Sequence, residues 1–163
     1  MATDRHCRGI CDKAKMNHGG TEKGRTVLTH GSALTERIIG LAIEVHRELG
    51  PGLLESAYEE CLCFELGQSG IACGRQVPLP VLYKGVRLEC GYRMDIVIAN
   101  EVVVEIKAVE RLMPIHNAQM MTYLRLSRHK IGLIMNFNST ALKDGLRRIV
   151  LGYVSSVFSV SPW

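Results

Sequence analysis

Asp95, Glu105 and Lys107 interrupt the aliphatic arms of GYRMDIVIANEVVVEIKA, the stretch from Gly91 to Ala108. Two carboxylates and an ammonium are the groups that hard-cation chemistry needs. Mg²⁺ prefers oxygen ligands, keeps several waters, and is held by one or two carboxylates together with substrate phosphate. An ammonium beside the metal-bound water orients it or stabilises developing charge, while the ion acts as Lewis acid and water activator. The chemistry such a set would do is phosphodiester hydrolysis. Spacing alone also describes three ordinary polar residues on the outer face of a sheet.

The element that must position them is a hairpin. Both arms are rich in β-branched and aliphatic residues, and Ala99-Asn100-Glu101 makes the turn, where Asn tolerates positive φ. Pairing Ile98 with Val102 gives a three-residue turn and two clean faces. One face carries Met94, Ile96, Ile98, Val102, Val104 and Ile106; the other carries Arg93, Asp95, Val97, Val103, Glu105 and Lys107. A slip of one residue would put Met94 opposite Glu105, mixing the faces, which is costly where one face is buried. The clean register sets Asp95 directly opposite Glu105, with Cβ atoms about 4.5–5.5 Å apart, and like charges so placed destabilise a sheet. A divalent cation between them would remove that conflict.

The remaining elements follow from periodicity and breakers. Residues 1–31 are polar, Gly-containing and without period, and read as a disordered N-terminal extension. His6, Cys7, Cys11 and His18 fit no familiar zinc spacing. Ser32 is a cap for a helix whose stripe is Leu34, Ile38, Leu41, Val45 and Leu49, with His46 near the carbonyl end. Gly50-Pro51-Gly52 stops it. A second helix is expected over 53–68, burying Leu54, Ala57, Tyr58, Cys61 and Leu62, with Glu55 in its first turn. Gln76 to Tyr83 reads as a strand that its two prolines confine to an edge or bulge. Lys84-Gly85 then turns the chain into Val86–Glu89, so that three antiparallel strands form a meander. Pro114 starts a third helix on which Gln119 and Tyr123 share a face. Gln119 can donate to a phosphate oxygen and accept from Lys107. Ile131–Phe137 is an internal strand, and Leu142–Leu151 reads as a closing helix. Residues 152–163 fit no element.

Asp95 with Glu105-Ile106-Lys107 resembles the split signature of the PD-(D/E)XK nuclease superfamily. Gly52-Leu53-Leu54-Glu55-Ser56-Ala57-Tyr58 resembles the pattern that names the GxxExxY proteins, a group assigned to that superfamily. The similarity runs from about Leu34 to Val150 and includes HRELGPGLLESAYE, QVPLPVLYKGVRL, VEIKAVERL and GLIMNFN. It implies an αβββαβ restriction-endonuclease-like core over residues 32–151, with a mixed four-stranded sheet flanked by helices. It also implies a Mg²⁺- or Mn²⁺-dependent nuclease site. Asp95, Glu105, Lys107 and Gln119 would be catalytic, Glu55 would join Asp95 and Glu105 as a metal ligand, and Gln119-x-x-x-Tyr123 resembles the motif that follows Glu-x-Lys in RecB-like nucleases. Tyr58, Tyr123, Arg93 and Arg111 are the expected substrate contacts, with Arg125 and Arg128 as further phosphate contacts, since backbone charge dominates nucleic-acid affinity. The alternative is a module of the same fold that binds nucleic acid or protein without cutting it.

The chain as a whole permits either. Its 163 residues suffice for one domain, 47% hydrophobic and 22% charged content is that of an ordinary globular chain, and a net charge of +4 allows a nucleic-acid partner without requiring one. No apolar run reaches the ~18–20 residues of a membrane span, and MATDRHCRGICDKAK has no signal-peptide core, so the expected compartment is the cytoplasm, with no membrane partner. The six cysteines, at 7, 11, 61, 63, 73 and 90, are then expected as free thiols. DNA is the first expected substrate. No base-reading motif is visible, and strand form and oligomeric state do not follow from these residues.

Overall fold

The computed structural model describes residues 30–89 and 91–152. The expectations for residues 1–29 and for the tail from 153 onward lie outside it. Helix α1 spans His30–Leu49 and α2 spans Glu55–Gln68. Strands β1 (Cys73–Pro78), β2 (Val81–Tyr83), β3 (Val86–Leu88), β4 (Arg93–Ile98) and β5 (Val102–Lys107) follow. Helix α3 (Pro114–Ser127), strand β6 (Ile131–Asn136), a 3₁₀ turn at Leu142–Gly145 and strand β7 (Leu146–Val150) complete the chain. No described helix is long and apolar enough to cross a membrane.

The main sheet has five strands in the order β1-β4-β5-β6-β7. Neighbours are antiparallel except β5 and β6, which run parallel and are joined through α3. The hairpin register is the expected one: Ile96, Val97 and Ile98 face Val104, Val103 and Val102. Helices α1 and α2 cover one face, where Ile38, Val45, Tyr58 and Leu62 pack on Ile96, Val104, Ile106 and Leu133. The other face is covered too. There α3 sets Met120, Tyr123 and Leu124 on Val103 and Ile134. Gly132 of β6 permits this close approach, because a Cβ at that position would lie 2.4 Å from Sδ of Met120.

Four expectations need correction. Helix α1 already includes Ser32, which is therefore inside it rather than its cap. Leu54 is 78% exposed, since α2 begins one residue later, at Glu55. Val81–Tyr83 and Val86–Leu88 do not belong to the meander; they form a separate two-stranded sheet inserted between β1 and β4. The Pro78-Leu79-Pro80 break ejects them, because proline cannot extend the ladder. Finally, the expected helix over 142–151 is a 3₁₀ turn and a fifth strand. Leu142, Leu146 and Ile149 suit a helical stripe, but β6 offers an open edge whose backbone groups demand partners, and Leu146–Val150 supplies them. Gly145 makes the turn possible: a Cβ there would meet Ser139 Oγ at 2.2 Å and the Asn136 carbonyl at 2.6 Å.

Candidate active site

The hairpin opens where the charged residues begin. The last paired positions of β4 and β5 are Ile96 and Val104. Beyond them the Asp95 side chain takes over the ladder's role, its Oδ2 accepting the Ile106 N–H at 2.8 Å. This inserts the carboxylate between the diverging strands. Met94 accordingly packs with Leu79, Val103 and Tyr123 under α3 rather than with Ile96. On the neighbouring edge strand, Gln76 has φ +48°, so the chain kinks on that side as well.

Glu105 is 2% exposed. Its Oε1 accepts from Lys107 Nζ at 2.7 Å, as the two-residue spacing along one strand allows. Its Oε2 is buried with no hydrogen-bond partner. Burial, then the charge of Asp95, push the Glu105 carboxyl up to about 7, against the pull of Lys107. Burial also raises Asp95, opposed by the Ile106 N–H and Lys107. For Lys107, burial disfavours the ammonium, but the bond to Glu105 and the surrounding carboxylates outweigh it and the pKa rises. The set therefore holds a firm cation beside two carboxyls that resist being ionised together.

Glu55 reaches the same place from α2. Its Oε1 accepts the Ala108 N–H at 3.0 Å, tying the helix start to the end of β5, and its charge acts on Asp95, Glu105 and Lys107. An open cleft of about 610 Å³ adjoins it, lined by Gly52, Leu53, Leu54, Ala108 and Asn138. From α3, Gln119 donates to the Tyr123 hydroxyl at 2.7 Å, and Lys107, expected to donate to Gln119, donates to Glu105. Burial and then the nearby Glu105 and Asp95 charges raise the Tyr123 phenol, against the Gln119 bond, so this pair lies within electrostatic reach of the carboxylates. Arg93 is exposed, two residues before Asp95, and Arg111 is exposed on the loop after β5. Arg125 and Arg128 are exposed at the far end of α3, Arg128 in the left-handed C-cap conformation.

Tyr58 has a different task from the expected substrate contact. It is fully buried, stacks on Phe137 at 4.4 Å, donates to the Gly50 carbonyl at 2.6 Å and accepts from the Leu53 N–H at 3.1 Å. It thus clamps the Gly50-Pro51-Gly52 turn, whose glycines have φ +66° and +107°. His46 is also structural, its Nε2 bonded to the Ser139 carbonyl at 2.8 Å. Two contributors escape the sequence reading. Glu59, 4% exposed, accepts from Arg75 and from the kinked Gln76, and its charge acts on Asp95. Its position four residues after Glu55 is the signal that could have found it. Asn136, level with Lys107 on β6, holds both the N–H and the carbonyl of Val109 and so fixes the loop that leaves the site.

The donor set can be tested against a divalent ion. Among the described residues no three His, Cys, Asp or Glu side chains converge on one metal position. Two carboxylates do suffice for Mg²⁺ or Mn²⁺ when water and phosphate complete the shell, and the orphaned Oε2 of Glu105 is a buried anionic oxygen in need of a partner. Asp95 and Glu105 therefore fit a hard cation. Glu55 stands close, with one oxygen already given to the backbone. Cys61, Cys63 and Cys73 are free thiols and stand apart from this set.

No curated protein and no solved structure matches the chain. A family model does, over residues 32–149, a span that takes in every element carrying the site from Glu55 to Tyr123. The open hairpin with its Asp and Glu-x-Lys, backed by helices on both sheet faces, is accounted for by that match: the chain belongs to the PD-(D/E)XK nuclease superfamily.

Proposed function

We propose that the chain is a Mg²⁺- or Mn²⁺-dependent nuclease that hydrolyses phosphodiester bonds, with DNA as its substrate. The observation that carries this reading is the buried, unpartnered Oε2 of Glu105 beside Asp95, with Lys107 bonded to the other oxygen. A structural face would not keep two repelling carboxyls and an orphaned oxygen away from water. When bound, the ion would neutralise the pair, polarise the phosphate and supply an activated water.

The chain's own residues do the rest. Asp95 and Glu105 would hold the ion; Asp95 is aimed by the Ile106 N–H and Glu105 by Lys107. Lys107 stays protonated and donates a hydrogen bond to a non-bridging phosphate oxygen as charge develops there. Glu55 closes the side nearest β5's end. Gln119 and Tyr123 present an amide and a phenol on the α3 side, where they can donate to the phosphate. Arg93 and Arg111 extend the cationic path for neighbouring phosphates, and as exposed side chains each contributes mainly salt-sensitive affinity.

The test incubates the purified chain with labelled single-stranded, duplex and branched DNA and with RNA, in Mg²⁺, Mn²⁺ or EDTA. Metal-dependent cleavage that Asp95→Asn and Lys107→Ala abolish supports the proposal. Binding without cleavage in any metal would replace it with the non-catalytic module.

A further inference from the structure

Hairpin β2–β3 stands outside the main sheet. Its pairs Val81–Leu88 and Tyr83–Val86 place four apolar side chains on one face. Tyr83 and Val86 are each 58% exposed, and a two-stranded ribbon with an apolar face in water is marginal by itself. Its base is nevertheless fixed. Leu79 is buried under α3 and donates its N–H to the Tyr92 carbonyl at 2.8 Å. Its tip is a tight turn in which Lys84 and Gly85 both have positive φ, the geometry that matches strand twist.

The tip pairs an aromatic with a cation: Lys84 Nζ lies 5.4 Å from the centre of the Tyr83 ring. From Leu79 to Arg93 the chain carries three cations, Lys84, Arg87 and Arg93, against one anion, Glu89. The segment that leaves the ribbon returns to the candidate active site, where the Tyr92 ring meets the Tyr123 ring edge-on at 6.5 Å. A platform of exposed aromatic surface with cations is what sequence-tolerant single-strand binders use, bases stacking on rings and phosphates meeting the charges. A second copy docking here would bring like charges together at the tip.

We infer that the β2–β3 hairpin is a stacking platform for unpaired nucleotides of a strand that passes the Asp95–Glu105 site, with Tyr83 beneath a base and Lys84 and Arg93 on adjacent phosphates. This names the substrate class within the nuclease reading, on which it rests. The test measures binding of the full chain to a fluorescent single-stranded DNA and to the matching duplex in EDTA, where nothing is cut. Wild type should prefer the single strand. Tyr83→Ala should weaken that binding about fivefold or more, the loss of one stacked base, while Tyr83→Phe stays within about twofold. Tyr83 is exposed, so folding is not at stake in either variant, and circular dichroism checks it. Equal binding by all three proteins, a preference for duplex, or a wild-type dimer that Tyr83→Ala turns into monomer in sedimentation would each overturn the inference. Cleavage with Mg²⁺ and Mn²⁺ is run beside it. Tyr83-dependent binding with no cleavage removes the nuclease reading and keeps the platform; Asp95-dependent cleavage with unchanged Tyr83→Ala binding does the reverse.

Discussion

Replacing Asp95 by Asn should stabilise the metal-free protein, and by more at pH 8 than at pH 5. Glu105 has an ordinary value of 4.5 and is pushed up to about 7 in the fold. The folded state thus binds this proton more tightly than the unfolded chain does. The resulting stability is fully present below about 4.5 and is lost as pH rises through about 7, a swing of roughly 3 kcal/mol for this carboxyl. Burial is the larger cause and Asp95 the second, with Lys107 opposing both. Asn removes the second cause alone. Like charges across a strand pair are destabilising, and since Asp95 is the lesser cause of a swing of roughly 3 kcal/mol, the gain should be about 1 kcal/mol greater at pH 8 than at pH 5. The Asn carbonyl can still accept the Ile106 N–H, so the geometry of the opening is kept. His129, lowered by burial, works in the opposite direction at acid pH, but it is common to both proteins and cancels in the difference. The assay is thermal denaturation of both proteins in EDTA at pH 5 and pH 8; for a chain of this size about 1 kcal/mol corresponds to about 2–4 °C in Tm. Adding Mg²⁺ or Mn²⁺ should then raise wild-type stability, by about 2.7 kcal/mol at a hundred times Kd, and raise Asp95→Asn by less. An Asn variant with the same advantage at both pH values, or one less stable at both, would refute the reasoning and make the face a structural charge network.

Lys107→Ala should keep the metal-induced stabilisation while cleavage falls about 100-fold or more; because it strands Oε1 of Glu105, it should also lose about 1–3 kcal/mol above pH 7, seen in the same denaturation series. Tyr58→Phe leaves the Leu53 N–H and Gly50 carbonyl without their partner and should cost about 1–2 kcal/mol in the denaturation midpoint, with cleavage per folded molecule unchanged. Gly132→Ala pushes a methyl into Met120 and should destabilise by about 1–3 kcal/mol, toward the low end because Met is flexible; by shifting α3 it should also reduce cleavage through Gln119 and Tyr123.

The sequence determined the hairpin at the centre of the site. Strand side chains alternate with a period of two, so the apolar run from Ile96 to Val104 permits one register, and that register carries Asp95 and Glu105 to the point where the two strands part; the direct Asp95–Glu105 pairing expected from it, with Met94 beside Ile96, gives way to the Asp95 bond to the Ile106 N–H. The helix stop at Gly50-Pro51-Gly52 and the start at Pro114 were legible for equally local reasons, since glycine and proline act on their own backbone. What tertiary structure alone decided is how those residues are surrounded. Nothing local says that α3 covers the carboxylate face and leaves Oε2 of Glu105 dry, or that Tyr58 serves a turn instead of a substrate. Nor does it say that Leu146–Val150 gives up a helical stripe to complete the edge of β6. Burial and strand pairing join residues far apart in the chain, and a backbone group or a charge responds to whichever partner the fold brings, so these outcomes are fixed only once the sheet is assembled.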